Sequence, residues 1–350
     1  MDLKIVHTSW GLKMKKPTKL TIFFIIIDMM VAACFIVVYC VPSFKQKIIA
    51  TALATKTHQY IAYTFYSEKT VKEVANQNSY QKIYDDTNLD DIVIDTAPKE
   101  TYENEYDEAV LTREEGNEDY KYIPVTVGGY DAHLVVIYDP SKVKLISSKE
   151  FNTGSGMESI LDMCAREGGK VCINGGRFKD TTGWGSDVPK GVLIKDGKII
   201  WSDTNARREI IGFTKDNKLL LTRATAEEAL AKGMRDGLEF GPFLMVNGKS
   251  ITFNSEGGGY ERAARVALAQ RKDGIVLFLV TEGVHTDGPN LKEVIDLLTL
   301  YGAYNIANLD GGTSAQLVIE NKLINNPKNI YGSPVEGGRK VVSGFGLITK

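Results

Sequence analysis

The chain has 350 residues, 43% of them hydrophobic and 25% charged, and its 42 basic side chains against 44 acidic ones leave a formal net charge of −2. That balance excludes a disordered chain and a polybasic nucleic-acid binder, and four cysteines in this length exclude a disulfide-dense mini-domain. One large domain or two ordinary ones fit the length.

Residues 1–19 hold five lysines (Lys4, Lys13, Lys15, Lys16, Lys19) and one acid, Asp2, and in residues 20–41 Asp28 is the only charge. An apolar run of about 20 residues wound as a helix matches the roughly 30 Å hydrocarbon core of a bilayer, so 20–41 is expected to span a membrane. A cleaved signal peptide would have an apolar region of about 7–15 residues and a small-residue cleavage site. This run is longer and ends in Tyr39, Cys40, Val41 and Pro42. Asp28 needs either a partner helix or a neutral carboxyl. The lysines place residues 1–19 in the cytoplasm and everything after Val41 outside the cell membrane.

Apolar residues at mixed spacing through 42–84 suggest a helical stalk. Residues 85–119 carry fourteen acids against Lys99 and Arg113, a composition expected of a solvated linker. It lacks the alternating ligand spacing of a calcium loop.

From Tyr120 to Lys350 the pattern is that of a folded domain. Turn signals at Asp196-Gly197, Asp216-Asn217, Asn247-Gly248 and Asp273-Gly274 lie between short apolar runs and predict antiparallel hairpins. Helices are expected over 156–166, 226–232 and 290–301, the last with Leu291, Val294, Ile295 and Leu298 on one face. The expected class is α+β: a mixed, largely antiparallel sheet with hairpins, packing helices and one strand-helix-strand crossover, behind the N-terminal transmembrane helix. Cys164, on a helix, and Cys172, on the following strand, either form a disulfide or remain two core thiols.

The crossover runs from a strand over 274–281, buried on both faces, through the 290–301 helix to a strand over 305–309. Ligands of such units sit beyond the carboxyl ends of the strands. Glu282 and Asp310 therefore share one rim, at one strand spacing of about 4.8 Å or two of about 10 Å. Both spacings reach the roughly 5–9.5 Å separation of glycosidase carboxylates, although each residue equally suits a strand cap. A turn pairing Lys272 with Ile275 sets Arg265 opposite Glu282, within a residue or two, as an anion clamp or a ladder ion pair. Asn174-Gly175-Gly176-Arg177-Phe178 and Glu239-Phe240-Gly241-Pro242-Phe243 are polar glycine turns able to approach a ligand closely or simply to turn the chain.

In this order, Asn174-Gly-Gly-Arg-Phe178, Gly241-Pro242, Arg265 and Asn308-Leu-Asp-Gly-Gly-Thr-Ser314 resemble the phosphodiester glycosidase family. The resemblance covers about 120–350. It implies hydrolysis of a sugar-1-phosphodiester at the anomeric carbon, with Asp310 and Glu282 as the catalytic carboxylates and His285 as a polar contact; by residue type His285 is also a catalytic candidate, as acid or base, or else a structural hydrogen-bonder. Arg177 and Arg265 become phosphate binders, and Asn174, Gly175, Gly176, Gly241, Gly311, Gly312, Thr313 and Ser314 line the substrate. The chain departs from the family pattern at Glu282-Gly283, where Asp-Gly is usual, and at Gly311-Gly312-Thr313-Ser314, where Gly-Gly-Gly-Ser is usual.

The reaction suits the residues, because phosphate is a good leaving group and needs cations more than a strong acid. The expected substrate is a cell-surface glycan, exopolysaccharide or other phosphosugar. No metal, cofactor or nucleic acid is expected. The competing readings are a non-catalytic glycan-binding or polymer-assembly module on the same fold, and metal-dependent phosphodiester hydrolysis, which lacks a ligand cluster.

Overall fold

The computed structural model describes residues 16, 18–54, 59–180, 185–259, 261–283, 287–329 and 331–349. It opens with the helix Lys19–Cys40, 22 residues at a mean hydropathy of 2.7 with none of its most apolar window buried inside the protein. Thr18 caps it, its side chain accepting from the Thr21 amide.

The expected stalk is three helices, Pro42–Ala54, Gln59–Phe65 and Glu68–Gln77. They close on one another around Ile49, Ala50, Ala62, Tyr66, Val71 and Val74. The Tyr66 hydroxyl donates to the Val38 carbonyl at 2.9 Å, tying this cluster to the apolar helix.

The acidic stretch 85–119 has extensive contacts with the domain that follows. Ile92 and Val110 are fully buried. The Val93 amide donates to the Lys272 carbonyl at 2.9 Å, and Asp107 pairs with Arg271 at 2.8 Å. Its acids therefore answer bases far along the chain, which composition alone does not reveal.

The domain is α+β, built on three antiparallel sheets. The largest has seven strands in the order Lys249–Ser250, Phe243–Val246, Ala303–Leu309, Val266–Arg271, Val276–Thr281, Tyr130–Ile137 and Tyr120–Val127. Val276–Thr281 and Ala303–Leu309 each run antiparallel to Val266–Arg271 between them, so they are parallel to each other. The helix Leu291–Leu300 makes the crossover. One sheet of five strands carries Gly169–Asn174 beside Ser343–Ile348, and the other carries Met234–Glu239 beside Arg208–Thr214.

Alternation along the strands explains the layering. Val135, Val266, Leu268 and Phe278 face a core shared with Ile173, Phe213, Leu238 and Phe345 of the smaller sheets. Their neighbours Leu134, Ala267, Leu277 and Leu279 face the other way, against Val294 and Leu298. The large sheet is thus buried on both faces, as the apolar run 274–281 requires.

All four turn signals are hairpins, with Asp196, Asn217, Asn247 and Gly274 at positive φ. Helices form at Ile160–Glu167, Ala226–Ala231 and Leu291–Leu300, each with a capping box. Cys164 and Cys172 are disulfide-bonded, Cα atoms 5.9 Å apart, pinning the first of these helices to its strand.

Phe345 is fully buried, edge-on to Phe213 at 6.0 Å. Phe345→Ala should cost about 3–5 kcal/mol in denaturant unfolding of the full chain. A loss below about 1 kcal/mol would contradict this three-sheet core.

Candidate functional site

The topology gathers the site. Since Val266–Arg271 lies antiparallel between Val276–Thr281 and Ala303–Leu309, its start and their ends meet at one edge. Arg265, Glu282 and Asp310 stand there, the outer two strands separated by two strand spacings, about 10 Å. The hairpin loop is one residue longer than expected: the Arg271 amide donates to the Ile275 carbonyl, and the Thr281 amide to the Arg265 carbonyl. Arg265 consequently faces Thr281, one residue short of Glu282.

Asp310 is fixed through its backbone. Its amide donates to the Gly175 carbonyl at 3.0 Å, and its carbonyl accepts from Asn174 Nδ2 at 2.5 Å. Asn174 Oδ1 accepts from the Gln316 amide at 2.9 Å, so this fully buried side chain uses both ends. Gly311 then passes so close to the next strand that a Cβ would lie 2.5 Å from the Ala264 carbonyl oxygen. The Gly312 amide donates to that same oxygen at 2.7 Å, and Gly312–Ser314 form a single 3-10 turn. The cis Gly241-Pro242 bond sits beside this strand, with the Gly241 carbonyl accepting from Asn308 Nδ2 at 3.1 Å. Gly176 abuts Ser343, where a Cβ would be 2.3 Å from its Oγ.

The charged side chains divide into three groups. Arg265 is half-buried and donates to the Pro289 and Glu261 carbonyls, at 3.3 and 2.7 Å; burial lowers its pKa. Arg177, largely exposed, lies 3.7 Å from Glu239 and over the Phe240 ring. Glu282 accepts from the Asn326 amide at 2.7 Å and is 3.4 Å from His133 Nε2, while His133 Nδ1 is 2.8 Å from the Tyr122 hydroxyl. Burial works to raise the Glu282 pKa. The hydrogen bonds from His133 and Asn326, with the charges of His133 and Lys328, outweigh it and hold the carboxyl below its ordinary range. His285 lies outside the described residues.

Two further residues belong to this edge. Glu239 is buried, and its Oε2 has no hydrogen-bond partner among the described residues. Burial pushes its pKa up, reinforced by Asp203 and Glu209 and opposed by Arg177 and Arg208. The sequence held a sign of it, since Met234–Glu239 is a strand ending in a carboxylate, as the strands before Glu282 and Asp310 do. Arg339 donates to Ser314 Oγ at 3.2 Å, pairs with Asp180 and lies over the Phe178 ring. Its only sequence mark is the pair of glycines before it.

Thus Asn174, Gly175, Gly241, Gly311, Gly312, Ser314 and Asp310 are joined by short contacts, directly or through Asn308 and Ala264. The contacts of Glu282, to His133 and Asn326, share no residue with the backbone anchors of Asp310.

Comparison with known proteins adds four similarities. Residues 167–348 match the model of the family described as phosphodiester glycosidase. The SPbeta prophage-derived uncharacterized protein YomE of Bacillus subtilis (strain 168) is 28% identical over 201 residues, 54% of this chain and 30% of that protein. N-acetylglucosamine-1-phosphodiester alpha-N-acetylglucosaminidase of Mus musculus is 23% identical over 217 residues, 56% of this chain and 41% of the enzyme. The chain therefore spans less than half the length of either curated relative. The zebrafish catalytic domain of that enzyme, solved auto-inhibited by its pro-peptide, shares the fold. Its TM-score is 0.54 at 18% identity, covering 66% of this chain and 83% of that one.

The depressed pKa of Glu282 has a consequence for stability. A carboxyl whose folded pKa lies below its unfolded value contributes stability that is present above the unfolded value, about 4.3, and is lost as pH falls through the folded one. Glu282→Gln should therefore be less stable than the native chain at pH 6, with the difference shrinking below about pH 4.3. Urea unfolding across pH 3–7 measures this, and a difference independent of pH would contradict the His133 and Asn326 assignment.

Proposed function

Because the chain belongs to the phosphodiester glycosidase family, we propose that it hydrolyses a sugar-1-phosphodiester at the anomeric carbon, releasing the sugar and a phosphomonoester. The observation that carries this reading is the double backbone anchoring of Asp310 by Asn174 and Gly175, beside the turn that presents Arg177. An acid held this rigidly suits a transition state in which the sugar ring gains positive charge.

In the reaction the bond from the anomeric carbon to the phosphate oxygen breaks, its electron pair leaves with the phosphate, and water supplies the new oxygen. Asp310 faces the developing charge. Arg177 and Arg265 hold the phosphate, and Asn174, Gly175, Gly176, Gly241 and Gly311–Ser314 line the sugar. Glu282, kept ionised, serves as the base that activates water, with His285 as its neighbour in sequence.

The helix Lys19–Cys40 supports membrane attachment, as a span or a signal anchor by length and composition. In this reading it crosses the cell membrane once with its N-terminus in the cytoplasm, and Asp28 meets a partner helix. The Cys164–Cys172 disulfide favours an oxidising exterior for the catalytic domain. The substrate is then a cell-surface glycan or exopolysaccharide. A binding module without turnover is the second reading, favoured by the engagement of Arg265 with the Glu261 and Pro289 carbonyls.

The full chain in detergent micelles should release N-acetylglucosamine from its α-linked 1-phosphodiester, followed by NMR. Asp310→Asn should lower the rate by about 10²–10⁴-fold with folding unchanged. Full activity in that variant would overturn the assignment, and binding without any turnover by the native chain would favour the second reading.

A further inference from the structure

Next to the rim a cavity of about 390 Å³ opens, and of the residues given a role above only Arg177 lines it together with Glu239. Six basic side chains surround it: Lys82, Arg177, Lys190, Arg207, Arg208 and Arg223. The acids are Asp203, Glu209 and Glu239, so three positive charges remain in formal excess.

Two of these bases form close ion pairs. Lys82 pairs with Glu209 at 2.8 Å, and Arg207 with Glu228, which is not part of the cavity lining. Arg177 and Arg208 stand on either side of the Glu239 carboxylate at 3.7 and 3.9 Å. Neither hydrogen-bonds to its buried Oε2. Arg223 lies over the Tyr84 ring at 5.5 Å, and among the described residues its guanidinium has no hydrogen bond or ion pair. Planar guanidinium groups without an in-plane carboxylate match the fork geometry of phosphate oxygens.

One phosphodiester carries a single negative charge, and Arg177 with Arg265 is enough for it. We propose that this cavity binds a second phosphate of the same substrate, so that the chain acts on glycans whose phosphodiester units repeat. The inference rests on the hydrolytic reading above and names its substrate class. Arg177 touches both the rim and the cavity, which lets adjacent phosphates of one polymer occupy the two places. Lys82 and Tyr84 come from the segment between the helical cluster and the domain, so the subsite is complete only when that segment is docked.

The test is isothermal titration of the full chain in detergent micelles with two sugar-free probes, a glycerol phosphate trimer and glycerol 1-phosphate. The trimer should bind more tightly, and Arg208→Gln and Arg223→Gln should each weaken it by roughly tenfold, the effect of losing a charge-assisted phosphate contact. Glu239→Gln should tighten trimer binding, an effect opposite in sign to any loss of folding. Trimer affinity unchanged in both arginine variants, or weakened by Glu239→Gln, would overturn the proposal. Hydrolysis of a sugar carrying one phosphodiester, measured in the same preparations, tests the other reading separately. Trimer binding that depends on these arginines without any hydrolysis would overturn the hydrolytic reading and uphold the anion subsite.

Discussion

The backbone of Asp310 is clamped between two sheets. Its own strand belongs to the seven-stranded sheet, while Asn174 and Gly175 close the central strand of a five-stranded one. Two hydrogen bonds, 3.0 and 2.5 Å, join them. Asn174 donates to Asp310 while its Oδ1 accepts from the Gln316 amide, so neither end of this buried amide bears the cost of about 1–3 kcal/mol for an unmet polar group. The 3-10 turn at Gly312–Ser314, the close pass of Gly311 by Ala264 and the placement of Arg177 all follow from where this clamp sets the chain.

Environment shifts two of the carboxyls in opposite directions. Burial, with Asp203 and Glu209 nearby, pushes the Glu239 pKa up, while the hydrogen bonds Glu282 accepts hold its carboxyl below the ordinary range. Glu239 stands beside arginines that suit phosphate, and Glu282 beside His133, Lys328 and the Asn326 backbone.

Much of this was legible in the chain because it is local. Turn residues at Asp196-Gly197 or Asn247-Gly248 need positive backbone angles over two or three positions, and the helix Leu291–Leu300 carries its cap and its apolar face within its own length. The crossover was legible from a strand buried on both faces followed by a helix and a second strand. Register was harder, since one extra loop residue before Ile275 moved Arg265 to face Thr281. Contacts across long separations were not legible at all. Asp107 meets Arg271 164 residues away, which is why the acidic stretch read as solvated while its structure is in contact with the domain. Arg339 escaped notice because only folding brings it to Ser314.

The central claim is that the broken bond is the one at the anomeric carbon, with the arginines holding the departing phosphate. Turnover of a sugar-1-phosphodiester in water enriched in oxygen-18, with both products analysed by mass spectrometry, tests it most directly. The account predicts the heavy oxygen in the released sugar and none in the phosphomonoester. Label in the phosphomonoester would mean attack at phosphorus and would contradict it.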